Sequence, residues 1–268
     1  MSIITPRPDS GSHLAVRVKR PTDRRSSSRS ATRALDVLEL FGRVRRPLRA
    51  IEISRALVMH SSTTNQLLKT MVDSAHLVFD AQAKTYLPSP RLAEFSAWIV
   101  ESYGANGRLR GLVNEVHERT GMMVTVTTPN DLFMQIILAA ISAADGGEQM
   151  PERGLQISIL GSAIGSAYLS MLDEAKIRRL ALRARVTEDE VGALLETAQQ
   201  IRESGFAFGP VATIEQVWSL AMPLPEQGIS VPAVLGVAGP KETLQESIAD
   251  LAKIVRETID KWFDQAGG

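Results

Sequence analysis

The residues that could read DNA lie in one short stretch of the chain. The exposed side of a helix beginning near residue 61 carries Ser62, Thr63, Asn65, Gln66 and Lys69. Hydroxyl and amide groups hydrogen-bond to base edges, and a lysine binds phosphate. This chemistry is typical of a DNA-recognition helix, although a plain helical hairpin with a solvated polar face fits the same residues.

Two short helices joined by a tight turn must position these side chains. In residues 49–77 the apolar positions predicted to point inward are Ile51, Ile53 and Leu57 in the first helix and Leu67, Leu68 and Met71 in the second. The turn between them is Val58-Met59-His60. The arrangement is that of a helix-turn-helix whose second helix is the recognition helix.

The flanking segments complete a DNA-binding domain. An amphipathic helix from Ser30 to about Gly42 precedes the pair, with Arg33 on its first turn. Two short strands follow, at 77–80 and 85–88, around a polar turn that carries Lys84. Three helices followed by a hairpin predict a winged helix-turn-helix. In it Lys84 is the phosphate contact of the wing, or alternatively the hairpin only closes the core of the domain.

Charge divides the chain into two halves. The first 92 residues contain 16 Lys and Arg against 7 Asp and Glu, whereas the remainder contains 14 against 23. Residues 1–29 are rich in Pro, Ser and Arg without periodicity, so we expect a disordered basic tail that either enters a minor groove or acts as a solvated linker. A basic front and an acidic rear indicate a polyanion-binding module joined to a second module.

The composition argues against several classes of protein. The chain has no cysteine, and its four histidines (His13, His60, His76 and His117) show no ligand spacing, so we expect no metal and no cofactor. We find no signal peptide and no apolar run long enough to span a bilayer, which leads us to expect a cytoplasmic protein.

After Pro90 the sequence predicts a linker helix over about residues 91–102. Its apolar residues Leu92, Phe95, Trp98 and Ile99 fit one face. A face this apolar is expected to pack on a second subunit, or alternatively on its own chain.

The rear half alternates helical and extended patterns. The expected helices lie at about 108–120, 161–171, 173–185, 187–205 and 241–265, and the expected strands at 122–128, 132–141, 155–160, 206–208, 217–224 and 231–238. These elements predict a mixed, mainly antiparallel sheet covered by helices.

The sequence lacks the usual signatures of an enzyme. It contains neither a GxSxG elbow nor a GxxxxGK[ST] or GxGxxG loop, and its carboxylate groups at Asp173 and Glu188 stand at helix starts, where they complement the helix dipole. We therefore expect no catalytic residues. The alternative is a cytosolic small-molecule-binding or catalytic domain with a vestigial DNA-binding front.

The order of motifs resembles the IclR family of bacterial transcriptional regulators from about Ser30 onward. The resemblance rests on RALDVLELF (33–41), SRAL (54–57), SSTTNQLLKTM (61–71), YLPSPRLAEF (86–95), ERTG (118–121), GSAIGSAYLS (161–170), ESGFAF (203–208), LAMPL (220–224) and VLGVAGP (234–240). It implies an α+β fold, with a winged helix-turn-helix over 30–89, a linker helix over 90–106, and a GAF-like effector-binding and oligomerisation domain over 107–268.

The resemblance also implies a function. Members of the family are dimers or tetramers that bind palindromic operators in double-stranded DNA and respond to a small molecule, and we expect a repressor. The candidate DNA contacts are Arg33, Arg49, Ser61, Ser62, Thr63, Asn65, Gln66, Lys69 and Lys84.

Three departures from the family pattern concern the DNA-binding domain. Gln66 stands where the family has Arg, which favours adenine over guanine unless Gln66 folds back to complete a capping box with Thr63. Val58 and Ala75 stand where the family favours Gly, so those turns form without a positive φ or at some strain.

The positions that match the family's effector contacts are Met150, Ile157, Ala163, Ile164, Gly209, Val217, Ser219, Gly236 and Ala238. Few of these side chains could hold a carboxylate. Three alternatives follow. The effector is an aromatic or acyl compound anchored by Ser219, or it is an acid held by backbone N–H groups at the start of the helix after Ser162. In the third alternative no effector binds and the domain serves assembly alone.

Overall fold

The computed structural model describes residues 18–19, 29–94, 107–141, 155–211, 217–227, 229 and 231–264. The chain forms two compact units, one spanning residues 24–100 and the other combining residues 1–23 with 101–268. Over the described ranges, no helix is both long enough and apolar enough to cross a membrane.

The front unit is a three-helix domain closed by a hairpin. Its elements are α1 (Arg29–Val44), α2 (Ala50–Ala56), α3 (Ser61–Asp73), β2 (Leu77–Asp80) and β3 (Thr85–Pro88). The two strands pair antiparallel, and Leu48 forms a single bridge to Tyr86. The predicted winged helix-turn-helix is therefore confirmed. Its core consists of Val37, Leu40, Phe41, Leu48, Ile53, Leu68, Met71 and Leu77.

One inward position of the front unit was predicted wrongly. Ile51 is 47% exposed, because α2 buries Ile53 and Ser54, and residues two apart lie on nearly opposite sides of a helix. Helix α1 also continues beyond Gly42 to Val44. Of the predicted linker helix, residues 91–94 are helical and the remainder lies outside the described residues.

Left-handed backbone occurs at four positions of this unit that are not glycine, and two of them are Val58 and Ala75. Val58 has φ +50° and Ala75 has φ +58°. At the end of α2, the Val58 N–H donates to Arg55 O and the Met59 N–H donates to Ser54 O at 2.9 Å, which is the hydrogen-bond pattern of a Schellman cap. Of the two possibilities that the sequence left open, the strained turn is the one that forms.

The rear unit is built on one curved sheet with the strand order β1-β6-β5-β4-β9-β8-β7. The strands are β1 (Val18–Lys19), β4 (Met123–Asn130), β5 (Phe133–Ala140), β6 (Gln156–Ser158), β7 (Ala207–Pro210), β8 (Val217–Pro223) and β9 (Val234–Pro240). The helices are α4 (Arg108–Thr120), α5 (Ala163–Ser170), α6 (Glu174–Ala184), α7 (Glu188–Ser204), α8 (Lys241–Glu246) and α9 (Ile248–Asp264). The predicted antiparallel sheet covered by helices is confirmed.

The sheet separates two apolar cores. Helices α4 and α9 cover one face, where Val126, Leu220 and Val237 are buried. Helices α5, α6 and α7 cover the other, where Ala221 and Val234 are buried. Strand residues therefore alternate between the two cores, as the period of two requires.

Two sequence-based expectations for the rear unit need correction. Residues 1–29 were expected to lack regular structure, but Val18–Lys19 pairs antiparallel with the edge strand β6, whose backbone groups would otherwise remain unpaired. The single closing helix over 241–265 is two helices, α8 and α9, separated at Ser247, whose hydroxyl donates to Thr243 O at 2.9 Å.

Candidate nucleic-acid interface and ligand-binding face

Helix α3 is fixed to the front unit through one face only. Thr64, Leu68 and Met71 are buried, and the Thr64 hydroxyl donates to His60 O at 3.1 Å. The opposite face is exposed and carries Ser61, Ser62, Asn65, Gln66 and Lys69, whereas Thr63 is half-buried at its border. A helix held in this way presents a polar surface of the width that enters a major groove.

The side-chain amide of Gln66 is available for binding. Helix α3 begins at Ser61 with His60 as its N-cap, so Thr63 is a residue of the first turn and not a cap. The capping box between Thr63 and Gln66 is therefore wrong. Among the described residues the Gln66 amide has no hydrogen-bond partner, and only its backbone carbonyl accepts, from Thr70 Oγ1 at 3.0 Å.

The remaining DNA candidates lie on other elements of the unit. Arg33 is half-buried on α1, and exposed Arg49 immediately precedes α2, where its backbone N–H donates to Glu52 Oε2 at 2.8 Å. Exposed Lys84 lies on the turn between β2 and β3 with φ +55°. The structure thus brings six of the nine candidates together on α3 and leaves three outside that helix.

The loop before α2 holds one of its arginines in place. Arg46 donates to Glu52 Oε1 at 2.8 Å, and this hydrogen bond, more than the one from the Arg49 N–H, lowers the pKa of the Glu52 carboxyl below its usual range. Glu52 therefore stays ionised and favours the start of α2. Arg46 is engaged by a carboxylate and is less available to a phosphate than the other basic residues of this loop.

A cleft separates α3 from the wing. It is lined by Asn65, Lys69, Val72, Phe79 and Tyr86 and has a volume of about 310 Å³. Phe79 and Tyr86 are cross-strand partners whose ring centroids lie 4.7 Å apart. Asn65 and Lys69 were predicted as DNA contacts, whereas the aromatic pair was not. The alternation of Leu77 and Phe79 with their partners in β3 was the signal that could have placed both rings on the α3 side.

In the rear unit, the predicted ligand contacts gather on one face of the sheet. Gly209 pairs with Ser219, Ser219 pairs with Ala238, and Ala221 pairs with Gly236, so the side-chain positions of these residues point the same way. Helix α5, which begins with Ala163 and Ile164, covers that face. Val217 and Ile157 lie on strands of the same sheet, and Met150 is outside the described residues.

The glycines bring strand backbone close to α5. A Cβ on Gly236 would lie 3.2 Å from Thr125 Oγ1 and 3.3 Å from Ile164 Cδ1, and a Cβ on Gly209 would lie 3.7 Å from that of Ala163. A side chain at Gly236 would push Ile164 or Thr125 aside by a few tenths of an ångström. Close packing therefore disfavours a side chain at Gly236, whereas a Cβ at Gly209 would make ordinary van der Waals contact.

Sequence reasoning missed two polar residues of this face. Thr125 and Thr127 are buried on β4, where Thr125 pairs with Gly236 and the Thr127 hydroxyl donates to Val234 O at 3.3 Å. The alternating run Val-Thr-Val-Thr from residue 124 could have revealed them, since alternate residues share a face. With Ser219, which is 1% exposed, they are hydroxyl groups in an otherwise apolar environment.

The start of α5 retains donors for an anion. The Ser162 hydroxyl accepts from the Gly165 N–H at 3.1 Å and donates to Ser158 O at 2.6 Å. This cap satisfies one of the N–H groups that the first turn of a helix leaves free. The remaining N–H groups of that turn are the donors on which an acid would depend.

Carboxylates in the rear unit serve the helices. Asp173 accepts from the Lys176 N–H at 2.8 Å at the start of α6, and Thr187 and Glu190 form a reciprocal capping box at the start of α7. The carboxylates that the sequence placed at helix starts do stand at the starts of α6 and α7. Within the described residues, no three His, Asp or Glu side chains lie together in a way that could hold a metal ion.

Two family models together match most of the chain. Residues 30–78 match the IclR helix-turn-helix domain, and residues 104–262 match the C-terminal domain of the bacterial transcriptional regulator IclR. The first covers α1 to α3, and the second covers strands β4 to β9 of the rear unit with the helices on both faces of the sheet.

Two curated proteins are similar over most of their length. The HTH-type transcriptional regulator XynR of Escherichia coli is 25% identical over 207 residues, covering 73% of this chain and 79% of that protein. The HTH-type transcriptional regulator BhcR of Paracoccus denitrificans is 25% identical over 238 residues, covering 87% and 84%.

Solved structures show the same fold. An IclR transcriptional regulator from Alicyclobacillus acidocaldarius superposes with a TM-score of 0.58 at 23% identity, covering 90% of this chain and all of that one. The Thermotoga maritima IclR superposes with a TM-score of 0.58 at 15% identity, covering 89% and 99%.

Proposed function

Because the chain belongs to the IclR family of bacterial transcriptional regulators, with an N-terminal helix-turn-helix DNA-binding domain and a C-terminal effector-binding domain, we propose that it represses transcription from an operator that it releases when a small molecule binds. A protein that occupies an operator excludes RNA polymerase without needing any further contact, so repression is the simplest consequence of binding. The observation that carries the proposal is the exposed polar face of α3.

Base recognition falls mainly to three residues of α3. Ser62, Asn65 and Gln66 are exposed on its free face. An unpartnered glutamine amide matches the N6 and N7 groups of adenine, whereas an arginine matches O6 and N7 of guanine. We therefore propose half-sites richer in A·T pairs than those of relatives that carry arginine here, with Arg33, Arg49, Ser61, Thr63 and Lys84 contributing contacts around the bases.

Sequencing the DNA that the purified full-length protein retains tests this assignment. The Gln66→Arg variant should exchange adenine for guanine at one position of each half-site, changing relative affinity there by about 1–3 kcal/mol. Lys84→Gln is the matched control, since loss of a phosphate contact lowers affinity for all sequences alike. An unchanged preference in Gln66→Arg would refute the role of Gln66.

The ligand-binding face favours an apolar effector. Ala163, Ile164, Gly209, Gly236 and Ala238 offer no charged group, and the polar atoms beside them are the hydroxyls of serine and threonine. We propose that the effector is an aromatic or acyl compound whose single polar group is held by Ser219. Val217 and Ile157 extend the apolar lining, and Met150 would border it.

Calorimetry of the full-length protein with aromatic acids, acyl lactones and short keto acids separates the alternatives. Binding of the apolar compounds, weakened in Ser219→Ala and in Gly236→Ala but not in Gly192→Ala, supports the proposal, because a Cβ on Gly192 meets nothing within 4 Å. Preference for short keto acids would favour backbone donors at the start of α5, and no binding to any would favour a domain that serves assembly alone.

We propose that the protein works as a dimer or a dimer of dimers. A palindromic operator needs two copies of α3 spaced by about one turn of DNA, and the predicted linker helix over 90–106 carries an apolar face suited to a second subunit. Sedimentation with operator, with and without a bound ligand, tests the coupling. Identical affinity and identical assembly in both conditions would contradict ligand control.

No catalytic role is assigned to any residue, in keeping with a family of regulators. A gel shift with the DNA upstream of its own gene distinguishes this proposal from an enzyme or binding domain with a vestigial front. Retention that is specific to sequence supports regulation. Binding that ignores sequence and collapses with salt supports the alternative.

A further inference from the structure

The cleft between α3 and the wing has apolar residues that the proposed base contacts do not explain. Val72, Phe79 and Tyr86 form an apolar floor, and Asn65 and Lys69 stand at the rim. Phe79 remains 45% exposed, although it is paired with Tyr86 and lies beside a core that could have covered it. An aromatic ring that remains exposed beside a recognition helix indicates a surface that a binding partner covers.

The charge at the rim is uncompensated. Lys69 is exposed, and within residues 29–94, which the structure describes without a gap, it forms no ion pair. A lysine held beside an apolar floor offers an ammonium group for an anion and a methylene stem for an apolar surface. The occupant of the cleft should therefore alternate anionic and apolar groups along its length.

The position of the cleft identifies such an occupant. It lies between the helix whose face offers base contacts and the hairpin whose turn carries Lys84. We propose that the cleft binds the sugar–phosphate backbone of one DNA strand, with Lys69 on a phosphate and Phe79 against the adjoining deoxyribose. This inference rests on the proposed DNA-binding function and makes Phe79 and Tyr86 positioning residues for it.

The size of the cleft agrees with this occupant. Pockets for small ligands begin at ~300 Å³, and the cleft has about 310 Å³, so it is large enough to admit one sugar–phosphate unit. Backbone contacts fix the register of a protein on DNA without reading its sequence. The cleft would therefore set how α3 lies against the base edges.

A series of operator duplexes tests the inference, each with one phosphate replaced by a neutral methylphosphonate. The duplex is one recovered from the DNA that the full-length protein retains. For the wild-type protein, one replacement per half-site should weaken binding roughly tenfold, as expected for one charge-assisted contact. In Lys69→Gln the same replacement should have no further effect, because the partner of that phosphate is already lost.

Lys84→Gln is the matched control, since it removes a lysine from the same unit but not from the cleft. In that variant the replacement that is silent in Lys69→Gln should still weaken binding. Phe79→Ala should lower affinity for specific and unrelated DNA by the same factor and leave the base preference unchanged, and circular dichroism establishes that the variant is folded.

Either of two results overturns the inference. If no methylphosphonate position becomes silent in Lys69→Gln while specific binding persists, the cleft does not hold the backbone, although the proposed function stands. If Phe79→Ala changes base preference instead of overall affinity, the ring contacts bases. A full-length protein that retains no specific DNA refutes the proposed function as well.

Discussion

Replacing Val58 by glycine should stabilise the front unit. Val58 has φ +50°, and its side chain is 93% exposed, so it contributes almost no packing that could offset the strain. The left-handed conformation costs a residue with a Cβ about 1–2 kcal/mol. Glycine removes that cost but increases the conformational entropy of the unfolded chain, which opposes stability by about 0.4–1 kcal/mol. The net gain should be about 1 kcal/mol.

The change can be followed in the full-length protein by two measurements. For a unit of this size, 1 kcal/mol raises the midpoint of thermal unfolding by roughly 4–8 °C. Amide hydrogen exchange in the peptide covering α3 should slow by about fivefold, since α3 follows the turn directly and exchange reports the opening free energy.

The matched control is Ala56→Gly, two residues earlier and exposed at the end of α2, where the backbone is helical. There glycine should destabilise by roughly 0.5–1 kcal/mol, because it only loosens the unfolded chain. If Val58→Gly destabilises as much as Ala56→Gly does, the reasoning from backbone strain is wrong. A gain without any change in operator affinity would also indicate that Val58 was not retained for DNA binding.

Two further predictions concern the rear unit. A Cβ on Gly165 would collide with the backbone carbonyl of Ile159, so Gly165→Ala should destabilise the protein by about 3 kcal/mol. Gly192 lies within a helix and a Cβ there would meet nothing within 4 Å, so Gly192→Ala should stabilise the protein by about 0.5–1 kcal/mol. Urea unfolding of both variants measures this contrast. The hydrogen bond from Lys261 lowers the pKa of Glu115 and thereby stabilises the fold above pH ~5, a contribution lost as the pH falls through the lowered pKa. Glu115→Gln should therefore lose stability at pH 7 and approach wild type once the pH falls below the lowered pKa, and parallel pH profiles would contradict this.

Much of the fold was accessible from local sequence patterns. The helix over 108–120 and the carboxylates at the starts of α6 and α7 were predicted as the structure has them, because helical periodicity and helix-start signals depend on residues within a few positions of one another. The recognition face was accessible for the same reason. The wing strands were also predicted with the bounds that they have in the structure, whereas most strand ends of the rear unit were displaced by one to three residues, since they depend on a partner strand that the local sequence does not contain.

The candidate site was only partly accessible. Sequence placed polar groups on α3, but it left open whether Gln66 would fold back, and that depended on the helix beginning at Ser61. The family resemblance identified Gly209, Ser219 and Gly236, but it did not identify Thr125 or Thr127. Thr125 pairs with Gly236 on the neighbouring strand, and the Thr127 hydroxyl donates to Val234 O.

The sequence by itself determined that a basic helix-turn-helix unit precedes an acidic unit of sheet and helices, and which residue types each could present to a partner. The tertiary structure decided which of those residues meet. The cleft between α3 and the wing and the shared face of β7, β8 and β9 arise from pairings between residues far apart in the chain. Strand register and helix packing fix such pairings, and neither is encoded in the spacing of neighbouring residues.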